Sequence, residues 1–341
     1  MKVAVYYGPG KMEIEDWPVP PVEDRDILIR IRTSMVCGTD VKTFLRGHPL
    51  FKPPTVLGHE FAGEVVEVGA AVRSVAPGDR VTVAPFISDD VCFYCRAGLK
   101  ELCPSRRYLS NGAFSEYVKI DEDYARTGLV KLSSDVTWQE GALTEPIACV
   151  VNAVSDLHIT PGDTVAVVGA GPMGLLNALI SRASGAGSVA VLEIDAGRRA
   201  IAGSMGFITV DPGSEDAVAR IKSLTDGRGS DQVILAVGSA SLIPDAMALA
   251  RPGAKVMLFG GFPQGESARF NPNLVHYQQV SVIGTSGFTP EDFAHAGKLV
   301  NSRAFDLRPL ITHRFRIDEI RKAIETAAST ESLKVEIALD E

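Results

Sequence analysis

The run Thr164-Val165-Ala166-Val167-Val168-Gly169-Ala170-Gly171-Pro172-Met173-Gly174 limits the possible folds more than any other stretch of the chain. It follows the turn Thr160-Pro161-Gly162-Asp163 and stays apolar without alternation, as a strand buried on both faces does. A G-x-G-x-x-G pattern then opens a helix-length segment. In that context Gly169 makes a tight turn, Gly171 lets the backbone approach a pyrophosphate, and Gly174 lets helix and strand pack closely. Pro172 and Met173 start the helix whose N-terminus faces the phosphates. Strands at Ser188–Glu193, Phe207–Val210, Asp231–Val237 and Ala254–Gly260 are expected to follow. Helices at Pro172–Gly185, Ala196–Met205, Ser214–Leu224 and Ser239–Ala250 lie between them. That alternation predicts an α/β domain, a doubly wound parallel sheet that binds a dinucleotide.

Two acids compete for the adenosine ribose. Glu193 lies 19 positions after Gly174 (193 − 174) and Asp195 lies 21 after (195 − 174), both near the usual spacing of about 20. Glu193 ends the apolar strand and is assigned to the ribose; Asp195 sits where the next helix starts and reads as its cap. A carboxylate at that position repels a 2′-phosphate, which favours NAD(H) over NADP. Arg198 and Arg199 at the same mouth work against that preference, and Arg198 is taken as a cofactor contact.

The first 150 or so residues have another texture. Ile27–Arg32, Glu64–Val68 and Arg80–Ala84 are short β-branched runs, and Pro18, Pro20, Pro21, Pro53 and Pro54 punctuate loops and edges. No internal repeat is visible. With 341 residues the chain exceeds one ordinary core. A net charge of −8 with no Lys/Arg block argues against nucleic acid or an anionic membrane as partner. No apolar run reaches the roughly 18 residues needed to span a bilayer. Met1–Gly8 reads as a first strand and not as a signal peptide, so a cytoplasmic protein is expected. After Val280–Gly284, a helix near Pro290–Asn301, an amphipathic helix near Ile317–Ala328 and an alternating strand Leu333–Ala338 are expected. That last strand is placed back in the first domain.

Cys37-Gly38-Thr39-Asp40 and Gly58-His59-Glu60 carry a thiol and an imidazole 22 positions apart (59 − 37), and Leu143-Thr144-Glu145-Pro146 adds a later carboxylate. Sulfur, nitrogen and oxygen donors are what Zn²⁺ takes when it keeps one position open for substrate. Alone, the pair also fits a buried free cysteine and a hydrogen-bonded histidine. Asp89, Cys92, Cys95 and Cys103 form a second cluster, D-x₂-C-x₂-C-x₇-C, suited to a closed structural zinc site. Asp90 in place of Asp89, or a metal-free lobe, is the alternative. Such clustering points to metal binding in a reducing compartment and not to a disulfide framework. Cys149, in an apolar stretch, reads as a core residue.

These segments occur in an order that resembles the zinc-dependent medium-chain alcohol dehydrogenase family, over essentially the whole chain. The most specific match is G-H-E-x₂-G-x₅-G at residues 58–69. The resemblance is nearest to the polyol branch, that of sorbitol (L-iditol) dehydrogenases. It implies a GroES-like, irregular β-rich catalytic domain from residues 1–152 and 286–341. A Rossmann nucleotide-binding domain would span 153–285, with the active site in the cleft.

By the same resemblance, Cys37 and His59 are catalytic zinc ligands, and Glu60 and Glu145 stand where one glutamate ligates and the other lies close by. Asp40 resembles the acid that orients the ligating histidine, and Thr39 the hydroxyl that takes the alcohol proton. Lys42 stands where many relatives carry a relay histidine, with a solvated surface lysine as the equal alternative. One catalytic and one structural Zn²⁺ are implied. Hydride would pass from a secondary alcohol of a polyol, sugar or cyclitol to NAD⁺, giving a ketone.

Arg46 and His48 are candidates to touch that substrate. An amino alcohol such as threonine or an aminocyclitol is the nearest alternative. A zinc-free reductase or a crystallin-like dinucleotide binder is a further one. The strand Val280–Gly284 offers an edge for a homodimer or homotetramer.

Overall fold

The computed structural model describes residues 1–339 and divides into two compact units. One comprises Met1–Ala148 with the chain from Phe288 onward; the other comprises Cys149–Gly287.

The Cys149–Gly287 unit is a six-stranded, wholly parallel sheet. Its spatial order is Ile208–Val210, Ser188–Leu192, Thr164–Val168, Ser230–Leu235, Ala250–Leu258, Ser281–Gly284. In chain order that is 3-2-1-4-5-6, the doubly wound arrangement whose ligand crevice opens where the winding reverses, beyond the ends of the first and fourth strands. Val165, Ala166, Val167, Val233, Ile234 and Leu235 on those two strands are fully buried, which explains their unbroken apolar pattern. Gly174 is required by packing: a Cβ there would lie 1.9 Å from the Gly169 carbonyl oxygen.

Helices occupy Pro172–Ala183, Ala196–Ser204, Ala217–Ser223 and Ile243–Leu249. The last is shorter than the expected Ser239–Ala250, because a 3₁₀ turn fills Ala240–Leu242 and Pro244 sits in the first helical turn.

In the other unit, Asp26–Met35 is the central strand of a seven-stranded sheet. Glu60–Val68 pairs along one edge. Tyr117–Asp121 and Lys334–Ala338 share the other, so the C-terminal strand does close the N-terminal sheet. A small sheet of Lys11–Asp16, Lys2–Gly8 and Thr55–Val56 lies apart from it.

The structure corrects two expectations. Lys334–Ala338 does not alternate between core and solvent; every residue is buried. The Ile320–Ala327 helix packs on the strand, and its polar side chains meet buried partners. Glu336 accepts from Thr33 Oγ1 and Gln139 Nε2, both at 2.8 Å. Cys149 is half-buried and not core, because its segment is helical (Thr144–Leu157). Ile147, Val150 and Val154 hold the inner face of that helix, while Cys149 and Asn152 stand off it. Among the described residues no helix is long and apolar enough to cross a membrane.

Candidate active site

Two distant segments meet through a buried acid. The Gly38–Arg46 helix begins at Cys37, and Asp40 in its first turn accepts the Cys37 backbone N–H at 3.0 Å. The other Asp40 oxygen accepts the Gly58 N–H at 3.2 Å and lies 3.6 Å from His59 Nδ1. Asp40 is fully buried, so one carboxylate sets the cysteine turn, the histidine turn and the imidazole orientation together. Gly58 cannot be replaced cheaply: its φ is +88°, and a Cβ would lie 2.6 Å from the Phe114 ring.

The result is a donor cluster. One ligand atom each from Cys37, His59 and Glu60 lie within 4.8 Å of one another, so the donor set and its spacing fit a divalent zinc. Burial pulls the His59 imidazolium down, but the Asp40 carboxylate and the Cys37 thiol outweigh it and hold its pKa well above the ordinary value.

Glu60 opens the Glu60–Val68 strand opposite Met35. Both its oxygens lie 2.5 Å from Lys334 Nζ. Burial pulls the Lys334 ammonium down, yet Glu60 first and Cys37 next reverse this and leave it raised. Lys334 was missed in the sequence, where it looked like the polar position of an alternating strand. Glu145 lies in the first turn of the Thr144–Leu157 helix and outside that mutually close trio. Burial pushes its carboxyl up to about 7, the His59 charge opposes this, and Glu60 adds to it.

A cavity of about 350 Å³ opens beside these groups, with Thr39, His59 and Glu145 at its polar end. Of the loop behind the metal cysteine, Leu50 and Phe51 line it. Arg46 is exposed, and His48 Nδ1 accepts from the Leu50 N–H at 3.3 Å. Lys42 stands on the exposed face of the Gly38–Arg46 helix.

Asp89, Cys92, Cys95 and Cys103 also bring one ligand atom each within 4.8 Å of one another. Asp89 Oδ1 accepts the Val91 and Cys92 N–H groups at 3.0 Å each and lies 3.3 Å from Cys95 Sγ. Those bonds, the Cys92 N–H foremost, hold the Asp89 carboxyl far below its usual range. Burial pushes the Cys95 thiol up to about 12, the behaviour of a thiol that a metal would have to ionise. Asp90 faces elsewhere, 3.0 Å from Lys100 Nζ.

In the parallel-sheet unit, Glu193 Oε2 accepts the Ala170 N–H at 2.8 Å and Oε1 the Asp195 N–H at 2.9 Å. The acid is thus joined to the turn formed by Gly169, Gly171 and Gly174. Asp195 caps the next helix by accepting the Arg198 N–H at 2.9 Å. The Arg198 guanidinium lies 3.9 Å from where a Gly171 Cβ would stand, and Arg199 is held by Asp211 at 2.8 Å. Pro172 and Met173 are half-buried at the helix start.

Residues 23–133 match the alcohol dehydrogenase GroES-like domain, and residues 172–302 match the zinc-binding dehydrogenase domain. The chain belongs to the zinc-binding alcohol dehydrogenase family. It is similar to the sorbitol dehydrogenase of Halalkalibacterium halodurans, with 33% identity over 98% of this chain and 97% of that one. Similarity to L-galactonate-5-dehydrogenase of Escherichia coli is 30% over 95% and 94%. A Sinorhizobium meliloti zinc-binding dehydrogenase structure bound to NADP superposes with a TM-score of 0.91 at 32% identity, covering 99% and 98%. As a family member the chain is an alcohol-oxidising oxidoreductase that uses zinc and a nicotinamide cofactor.

Proposed function

We propose that Cys37, His59 and Glu60, with Glu145 beside them, hold the catalytic zinc. The chain then oxidises a secondary alcohol of a polyol, sugar or cyclitol to a ketone with NAD⁺. The observation that carries this reading is the convergence of sulfur, nitrogen and oxygen donors within 4.8 Å at the polar end of a cavity. When bound, zinc supplies a Lewis acid that lowers the pKa of an alcohol hydroxyl, and the nicotinamide accepts the hydride. Thr39, lining the cavity, takes the released proton. Asp40 keeps the imidazole aimed and its tautomer defined.

Asp89, Cys92, Cys95 and Cys103 hold a second, structural zinc that orders a loop with little core of its own. The Cys149–Gly287 unit binds the nucleotide through Gly169, Gly171, Pro172, Met173 and Gly174. Glu193 meets the ribose hydroxyls and Arg198 lies over the phosphate turn. The NADP complex of the relative makes the cofactor choice a matter for test; Glu193 supports NAD here.

Two further readings have support. All five cysteines are free of disulfides, in keeping with a reducing, cytoplasmic compartment. The Ser281–Gly284 edge strand, with Val275 and Tyr277 exposed on the segment before it, supports a homodimer or homotetramer.

Cys37→Ser and His59→Ala should each lose one zinc per chain by metal analysis, together with NAD-dependent oxidation of a polyol, cyclitol and amino-alcohol panel. Full activity in either variant would overturn the assignment.

A further inference from the structure

We propose that this site selects a vicinal hydroxy compound whose far end is hydrocarbon, such as an alkane-1,2-diol or a terminally deoxygenated sugar alcohol, over a fully hydroxylated chain. The inference rests on the dehydrogenase reading above and narrows its substrate. Away from Thr39, His59 and Glu145, the cavity wall is formed by Leu50, Phe51, Val56, Pro85, Phe86 and Leu109.

Two polar residues border the same wall, but their groups are used internally. Asn111 Nδ2 donates to Gly112 O, Ser115 Oγ and Tyr117 O at 3.0–3.3 Å. Ser110 Oγ lies 3.3 Å from both Asn111 Oδ1 and Lys119 O, so its single hydroxyl proton has an acceptor within the loop. The Thr55 and Tyr108 hydroxyls add polarity farther from the metal donors, and the Arg106 guanidinium lies 5.0 Å from the Phe86 ring centroid.

Part of the carbon wall is also braced. Phe86 stacks on Phe288 with ring centroids 4.9 Å apart, and Phe288 stacks on Phe293 at 5.7 Å. Both of those supporting rings are 1% exposed. The Leu109 N–H donates to Pro85 O at 3.1 Å, tying two of the wall residues together. Phe86, Pro85 and Leu109 therefore form the braced part of the wall, whereas Leu50, 63% exposed, stands at its solvent rim.

The chemistry of the two ends sets opposite demands. The polar end can take the reacting hydroxyl and its neighbour. Each further hydroxyl pressed against carbon without a partner should lower kcat/KM by roughly 5- to 100-fold. Each methylene buried there should raise it by about fourfold.

The test is a set of initial rates for the zinc-loaded enzyme with saturating NAD⁺. The substrates are propane-, butane- and hexane-1,2-diol, sorbitol and xylitol. The expected result is a kcat/KM that climbs about three- to fourfold per added methylene, with hexane-1,2-diol at least tenfold above sorbitol. Phe86→Ser should flatten that slope. A flat or falling diol series, or sorbitol above hexane-1,2-diol, overturns the inference and leaves the dehydrogenase reading standing. No turnover of any alcohol overturns both.

Discussion

Replacing Lys334 by methionine removes a charge while keeping a side chain of similar length. The ammonium and the Glu60 carboxylate lie 2.5 Å apart, with side-chain exposures of 3% and 0%. Neither charge reaches solvent, so losing one partner strands the other. Breaking such a buried pair costs about 3–5 kcal/mol. At about 2–4 °C per kcal/mol for a domain of this size, Lys334→Met should lower Tm by roughly 6–20 °C. Glu60→Gln should do comparable damage, because it removes the carboxylate that pairs directly with the ammonium and leaves only the Cys37 and Glu145 groups near it.

The double variant, with neither charge of the pair left without its partner, should recover most of the loss. Thermal unfolding of chelator-treated wild type, both single variants and the double variant completes the cycle. The sign with pH is also set. The Lys334 pKa is raised above its ordinary value of 10.5. Its contribution is therefore complete below that value and lost only as pH climbs through the higher folded one. A single variant within about 2 °C of wild type, or a double variant as unstable as the two losses summed, would refute the reasoning.

Asp89→Cys should turn the lobe into a four-thiolate site and slow zinc release to a chromogenic chelator by roughly tenfold or more, since thiolates suit zinc better than one carboxylate oxygen; faster release counts against a ligand role for Asp89. Glu193→Ala removes the acceptor of the Ala170 N–H and the proposed ribose contact. KM for NAD⁺ should rise roughly tenfold and the NADP/NAD ratio should shift toward NADP, and an unchanged ratio in steady-state kinetics would exclude it. Asp231 accepts from Thr164 N at 2.7 Å and Arg251 Nε at 2.6 Å. Burial raises its pKa, but these two donors lower it further and leave it below the ordinary value. Its contribution is therefore present above about pH 4 and lost as pH falls through the lower folded pKa. Asp231→Asn should reduce Tm by ~2–8 °C at pH 7, with the gap closing toward pH 3; a constant gap would rule this out.

Much of the architecture was legible because it is written in neighbouring residues. The unbroken apolar run at Val165–Val168 and the glycines after it specify a buried parallel strand and its turn. The Pro290–Asn301 helix, with Thr289 as cap and Pro290 in the first turn, lies where its pattern places it. The Cys92-x₂-Cys95 step and Asp89 are likewise local, so their clustering could be anticipated.

Lys334 could not. It pairs with a residue 274 positions away, and alternation along a strand reveals two faces without saying what covers the polar one. Here a carboxylate waits beneath that face because Met35 pairs with Glu60 on one side and with Glu336 on the other. The carbon wall of the cavity is of the same kind. Ser110 and Asn111 are simply polar residues of a loop in the sequence, and only the folded loop shows which partners their side chains meet. Sequence alone determined which groups exist and what each short segment becomes. Tertiary structure decided which of those groups remain unpaired, since burial and partnership are properties of surfaces that meet only on folding.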